Sequence, residues 1–330
     1  MNTGSPDSTK VTDLRRYLKE FLMDPYVIDM PLPLRYMLVN WRILPRRPAE
    51  SAEAYKQIWT EHGSPLIHYC KQIRNALRDR TDAPIEIGMA YGNPSFKSAI
   101  GKLLDAGVDE ICVLPIFPQY AMATVGSCVA GVTAEIKRRK SATTIRVVPP
   151  FYNEPAYIEP LAQSLAEADE HILFSYHGLP LRHLKKTDPT RLHCLSSAEC
   201  CSEPSIAHDT CYRFQSLTTT RSIVKKAGIP EDRYSVAFQS RLGRDEWLQP
   251  YTDQMLAELP AKGIKRLAVI CPAFFCDCLE TLEEIEIRGR ELFMNAGGES
   301  FRMIPCLNDT SAAIQCLESL MAEAGHWPEA

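Results

Sequence analysis

Three groups of residues in this sequence have types and spacings that suit chemistry. The first is Phe174-Ser175-Tyr176-His177-Gly178-Leu179-Pro180, an apolar run that ends on a histidine and is turned at once by glycine and proline. Imidazole titrates near neutrality, so His177 suits proton abstraction or metal ligation. A histidine at such a place also serves as a hydrogen-bonded structural residue. The second group runs from Cys271 to Glu284 (CPAFFCDCLETLEE) and again leads from a strand-like run into a helix. Asp277 and Glu280 have the spacing of an N-cap and the third helical residue, so a capping box accounts for them as readily as function does. A carboxylate at that end of a helix is held ionised by the backbone dipole. Glu280 and Glu284 share a helical face with Glu283 beside them, a row suited to passing protons or cations. Cys276 and Cys278 have C-x-C spacing without neighbouring partner ligands. The third group is Cys194-x5-Cys200-Cys201-x9-Cys211, in a stretch that also holds Pro189, His193, Pro204 and His208. Four thiolates saturate a zinc ion or a [2Fe–2S] cluster, and the lack of paired C-x2-C knuckles tilts the choice towards iron–sulfur.

The elements that must carry these groups are legible from periodicity. Short β-rich runs (Ile85–Tyr91, Glu110–Ile116, Thr144–Pro149, His171–His177, Ser235–Gln239, Arg266–Cys271, Phe301–Ile304) alternate with helix-length amphipathic runs. The helical runs are Ser95–Leu104, Gly126–Lys140, Pro155–Ala168, Asp209–Ala227, Thr252–Leu259, Leu279–Asn295 and Ser311–Ala324. Such alternation predicts an α/β protein with parallel strands covered by helices on both faces. Ligands bind beyond the carboxyl ends of such strands, where His177 and the Cys271–Glu284 run are expected. Two successive similar halves are expected, 1–152 and 153–330, the second with a cysteine-rich loop at about 188–211. Phe21–Leu44 is unusually apolar and reads either as a core helix hairpin or as an exposed lip for a greasy ligand or a membrane surface. Asn2–Pro6 reads as the end of a strand entering a loop with no strand before it: either the chain begins with a loop, or its start is misassigned or truncated.

Bulk composition narrows the class. The net charge is −4, without the basic excess of a nucleic-acid binder. No run of about 18 apolar residues exists, and Met1–Lys10 lacks the apolar core of a signal peptide. Twelve cysteines in a chain of 330 residues without an export signal are expected to be reduced, so the cytoplasm is the expected compartment.

The blocks SYHGLP at 175–180 and CDCLETLEE at 276–284 resemble the two signature blocks of ferrochelatases. The likeness extends to DLRRYLKEFLMD at 13–24, AYKQIWTEHGSPL at 54–66, Tyr91-Gly92-Asn93-Pro94, LPIFPQY at 114–120, Thr124–Ser127, FQSRLG at 238–243 with Trp247, and PCLN at 305–308. The resemblance implies a chelatase fold of two Rossmann-like halves, each a parallel sheet flanked by helices, with a porphyrin cleft between them. It implies insertion of Fe2+ into protoporphyrin IX to form protohaem, with two protons released. His177 would then be the catalytic histidine, taking pyrrole protons, ligating iron, or both. Glu280 would be the opposing carboxylate, supported by Asp277, and Glu284 would continue an acidic path. Tyr91, Tyr120 and Trp247 would line the pocket, and the Phe21–Leu44 lip would cover the porphyrin and touch the inner face of a membrane.

The sequence departs from the family pattern in places. Ala90 stands where relatives often have Arg, so a pocket contact made there does not carry over. Cys278 replaces a histidine common beside the catalytic Glu. Cluster-bearing relatives often take ligands from the C-terminal tail and from the block that here reads Ala121-Met122-Ala123, whereas this chain ends Gly325-His326-Trp327-Pro328-Glu329-Ala330. The resemblance is therefore to the bacterial branch with an internal [2Fe–2S] loop, held by Cys194, Cys200, Cys201 and Cys211. Rival readings are a chelatase for coproporphyrin or cobalt, and a haem- or iron-sensing protein with an inactive cleft. Retention of both His177 and Glu280 argues against the sensor.

Overall fold

A computed structural model describes residues 1–241, 243 and 245–324. Leu242 of the FQSRLG block and the tail 325–330 lie outside the described residues. The chain divides into two compact units, the first comprising Met1–Phe117, Met122–Pro150 and Asn308–Ala330, the second Pro118–Ala121 and Phe151–Leu307. The expected second half ran to the C-terminus. Instead the chain from Asn308 returns to the first unit, because the helix Ser311–Glu323 packs on the helix Pro65–Arg78 and Glu318 pairs with Arg80 at 2.6 Å. Residues 118–121 likewise leave the first unit for the second.

The first unit has two separate two-stranded parallel sheets. One pairs β1 (Asn2–Ser5) with β2 (Met89–Gly92), the other β3 (Glu110–Val113) with β4 (Thr144–Val147). Asn2–Ser5 is thus a strand in its own right, where the sequence reading expected only the end of one. Gly4 makes this possible: at φ +108°, a Cβ there would lie 1.9 Å from the Tyr91 carbonyl oxygen, so only glycine permits the approach. The Met1 amino group donates to the Leu114 carbonyl, and its own carbonyl accepts from Ile116 N–H at 2.9 Å. Residues 21–44 combine both alternatives for the lip. Leu22, Val39 and Leu44 form a small core with Phe21, Val27 and Ile28 around it, while Leu34, Met37 and Trp41 are exposed, Trp41 at 68%.

The second unit holds one continuous parallel sheet in the order β6-β5-β7-β8, with β5 His171–His177, β6 Tyr234–Gln239, β7 Arg266–Ile270 and β8 Ser300–Met303. In β5, Ile172, Leu173, Phe174 and Tyr176 are fully buried, as expected of a strand covered on both faces. Leu173 faces a core built with Leu256, Ile285 and Phe293 from helices that follow β6 and β7. On the opposite face the Tyr176 hydroxyl meets Thr220 Oγ1 at 2.8 Å, on the helix Tyr212–Ala227. The run expected as one helix, Leu279–Asn295, is α-helical at Leu279–Thr281, π-helical over Leu282–Gly289 and α-helical again from Arg290. Its wide turn shows in the bond from Arg290 N–H to the carbonyl of Ile285, five residues back.

Candidate active site

The strand order of the second unit sets its functional edge. The chain leaves β5 towards β6 on one side and leaves β7 towards β8 on the other, so the two connections diverge and open a crevice at the strands' carboxyl ends. His177 closes β5, and Cys271–Glu280 follows β7.

His177 is half-buried, with its Nδ1 2.6 Å from the Gly178 carbonyl oxygen. A carbonyl only accepts, so Nδ1 carries the proton and Nε2 is the basic nitrogen of the neutral ring. Phe274 packs beside the imidazole at 6.2 Å between ring centres. Gly178 N–H donates to the Gln239 carbonyl at 2.7 Å, and a Cβ at 178 would sit 2.7 Å from that oxygen and 3.3 Å from the Trp247 ring. The absence of a side chain at 178 thus lets β6 and the Trp247 indole close in next to His177.

After β7 the helix cap differs from expectation. Cys278, not Asp277, is the N-cap, and Thr281 is its reciprocal partner, with Cys278 N–H donating to Thr281 Oγ1 at 3.0 Å. Asp277 precedes the cap residue and is buried; it accepts from Thr281 Oγ1 at 3.0 Å and from Cys306 N–H at 3.4 Å. The Cys278 thiol, pushed well up by burial and then by the charge of Glu280, hydrogen-bonds to the Glu280 side chain. A neutral donor therefore stands beside Glu280. The expected carboxylate row is split. Glu283 is buried and paired with Arg288 at 2.7 Å, and Glu284 accepts from Ser240 N–H at 2.8 Å and from Ser240 Oγ at 2.5 Å. Ser240 adopts φ +66°, a left-handed conformation unusual for serine, which aims its N–H at the carboxylate.

Gln239, which sequence reasoning did not single out, ties these pieces together. It is paired in register with His177 and is 3% exposed. Its Nε2 donates to the Glu280 carbonyl at 2.6 Å, and its Oε1 accepts from Ser175 Oγ at 2.8 Å. The block FQSRLG was the available signal. Tyr120 also lies in this unit, half-buried, with its N–H donating to Gln215 Oε1 at 2.7 Å. Tyr91 belongs to the first unit and is buried there. Its hydroxyl donates to Asp24 at 2.7 Å, and burial and then the Asp24 charge push its pKa far up. It borders a cavity of about 730 Å3 with Tyr17, Asp24, Tyr26, Phe96 and Ser127.

Cys194, Cys200, Cys201 and Cys211 are all buried and packed in one cluster with Ala207. Asp188 organises the loop: it accepts from the N–H groups of Thr190 (2.8 Å), His193 (2.9 Å) and Cys194 (2.8 Å) and from Thr190 Oγ1 (2.7 Å). Burial alone would raise its pKa, yet these donors hold it down at about 2. Cys211 caps the helix Tyr212–Ala227, its sulfur accepting from Phe214 N–H at 3.5 Å. Donation by the Cys201 thiol, with this N-terminal position, lowers Cys211 to about 6. Burial raises Cys194, and sharing its proton with Cys211 raises Cys201. Among the described residues, no group of three or more His, Cys, Asp or Glu side chains is already set as a coordination shell. The donor chemistry nonetheless fits a thiolate-bound group: four buried sulfurs in one packed cluster, one of them stabilised as an anion.

Comparison with solved structures supports the fold. SirB from Bacillus subtilis with Fe3+ superposes with a TM-score of 0.53 at 11% identity over 78% of this chain and 88% of that one. The sirohydrochlorin chelatase SirB from Bacillus subtilis subspecies spizizenii, in complex with cobalt, gives 0.51 at 10% identity over 78% and 87%. The α/β architecture with helix-flanked parallel sheets is thus that of chelatases. In sequence, a ferrochelatase from Azotobacter vinelandii is 46% identical over 98% of both chains, and one from Opitutus terrae is 47% identical over 96% of this chain and 94% of its own. The family model for ferrochelatase matches residues 1–325. A likeness that covers nearly the whole chain leaves one conclusion: the chain belongs to the ferrochelatase family.

Proposed function

We propose that this protein inserts Fe2+ into protoporphyrin IX, releasing two protons and forming protohaem, as the ferrochelatase step of haem biosynthesis. The observation that carries the reading is the 46% identity over 98% of both chains with the ferrochelatase of Azotobacter vinelandii. Metallation must remove two pyrrole N–H protons and replace waters on the iron with ring nitrogens. In our reading His177 Nε2 either accepts a pyrrole proton or ligates the incoming iron, one lone pair serving one role at a time, and Glu280 serves as the carboxylate across the ring. Asp277 supports Glu280 through Thr281, and Glu284 continues the acidic path, carrying protons outward or iron inward. Trp247 and Tyr120 line the porphyrin pocket in this reading, and Tyr91 lines the cavity of the first unit.

The finer assignment is that Cys194, Cys200, Cys201 and Cys211 hold a [2Fe–2S] cluster. When bound, such a cluster supplies a one-electron redox centre and a covalent brace for the loop. The chain's own contribution is burial, the Cys211 cap and the Arg213 guanidinium 3.8 Å from Cys200 Sγ. The exposed Leu34, Met37 and Trp41 support a cytoplasmic protein that touches the inner face of the membrane; no helix among the described residues is long and apolar enough to cross it. Flotation with liposomes, wild type against Leu34→Ser/Trp41→Ser, tests that contact, and equal flotation would rule it out.

Anaerobic protein mixed with Fe2+ and protoporphyrin IX, followed through the Soret and visible bands, tests the activity. Haem formation that disappears in His177→Ala and Glu280→Gln is the expected result. Turnover with coproporphyrin and none with protoporphyrin would overturn the substrate assignment. An as-purified spectrum lacking broad absorption between about 330 and 550 nm, with no bound iron or sulfide, would overturn the cluster.

A further inference from the structure

The four-cysteine loop and Tyr120 are far apart in sequence, yet one buried side chain joins them. Gln215 lies in the first turn of the helix that Cys211 caps, and it is fully buried. Its Oε1 accepts from Tyr120 N–H at 2.7 Å. Its Nε2 donates to the carbonyls of His208 at 3.1 Å and Asp209 at 2.9 Å, in the short turn Ile206–Asp209 between Cys201 and Cys211. Its own N–H bonds to the Cys211 carbonyl at 3.0 Å. Both amide hydrogens and the amide oxygen are therefore engaged, and the carboxamide cannot rotate to follow one partner without abandoning the other. One helical turn on, Thr219 Oγ1 accepts from Gln119 Nε2 at 3.0 Å, and the same Nε2 donates to the Pro272 carbonyl at 3.2 Å, where the Cys271–Glu280 connection begins. Residues 119–120 are thus gripped by the helix that starts at the cysteine loop.

We propose that Gln215 is a positioning residue that makes the placement of Tyr120, and with it porphyrin binding, depend on the order of the four-cysteine loop. The physical reason is the penalty of an unpaired buried group. When the turn at 208–209 shifts, either its two carbonyls or the Tyr120 N–H lose their partner. The inference rests on the reading that Tyr120 borders the porphyrin and that the loop is ordered by a bound group.

The test is amide hydrogen exchange at Tyr120, with KM for protoporphyrin and kcat measured in parallel. It compares wild type as purified, wild type stripped by a chelator, Cys201→Ser, Gln215→Met, Gln215→Glu and the double variant Gln215→Met/Cys201→Ser. Gln215→Glu keeps the acceptor for Tyr120 N–H and loses the two donations to the loop, so it separates the two halves of the link and serves if Gln215→Met does not fold. Stripping or Cys201→Ser should speed exchange at Tyr120 by about tenfold or more and raise KM more than it lowers kcat. In Gln215→Met the Tyr120 amide should already exchange fast, and adding Cys201→Ser should change neither number further. In Gln215→Glu the amide should stay protected and stop responding to stripping. Faster exchange at His193 and Cys194 with Tyr120 unchanged, or additive effects in the double variant, would overturn the proposal. Iron and sulfide analysis of the same samples reports on the cluster separately. A protein without a cluster whose Tyr120 still responds to Cys201→Ser would end the cluster reading and leave the coupling standing.

Discussion

The two units use the same strand–helix vocabulary to different ends. In the second, four strands share one sheet, the central β5 is buried on both faces, and β5 with its neighbours β6 and β7 delivers His177, Gln239 and the Cys271–Glu280 connection to a single edge. In the first, the β1–β2 and β3–β4 sheets are not continuous. An apolar cleft of about 630 Å3, lined by Ile85, Ile87, Ile100, Ile111, Val113 and Leu317 among others, lies along them. The contrast teaches where rigidity is spent. The role proposed for His177 needs a backbone fixed by neighbours on both sides, and β5 has them. The first unit contributes an apolar lip and a cavity around Tyr91, which tolerate a looser frame.

Several substitutions would break or sharpen that contrast. His177→Ala should lower kcat/KM by about 100- to 10,000-fold, while Tyr91→Phe, whose hydroxyl is occupied by Asp24, should cost far less; comparable losses would erase the division of labour. Leu173→Ala in the fully packed core should destabilise by about 2–5 kcal/mol in denaturant unfolding, against about 1 kcal/mol or less for Ile85→Ala beside the cleft. Native-state exchange should find the amides of Leu173–Tyr176 opening only with the whole unit, and those of β3 opening earlier; a reversed order would refute the rigid-edge argument. The smallest effect concerns acid. Glu135 in the first unit is held at about 2 by Arg138 and also by Arg139, and Asp188 in the second is held at about 2 by its backbone and hydroxyl donors. Both lie below the ordinary carboxylate range, so the stability each contributes is complete above that range and is lost as pH falls towards 2. Tm should drop between about pH 4 and pH 2, and Asp188→Asn should flatten that slope.

Much of this was legible from the sequence. The strand β5 was read to the residue, because a continuous apolar run that ends at Gly178-Leu179-Pro180 has few other solutions. His177 and Glu280 were marked by block and by place. What the sequence hid depends on tertiary partners. Gln239 and Gln215 are polar residues whose importance comes from backbone groups 41 and 95 positions away, and no local pattern encodes that; Asp188 binds backbone groups two to six positions on, in a turn whose place beside the cysteines only the fold reveals. The helix cap was misplaced by one residue because cysteine is a weak capping side chain by type, and Thr281 made it serve. β1 was read only as the end of a strand because four residues with a glycine among them and a proline after them carry no periodicity to read.

The π-helical stretch Leu282–Gly289 has a bearing on descent. A wide turn of this kind is what remains when an α-helix gains a residue without losing its ends. Deleting one residue there would restore a plain α-helix and swing everything beyond it by about 100° around the axis. Phe293 would leave the core in which it is fully buried, and Arg290 would lose the Phe301 carbonyl it now holds at 2.7 Å. Such an insertion is easy to keep and hard to reverse, so the length of this segment should vary less among descendants than its side chains do.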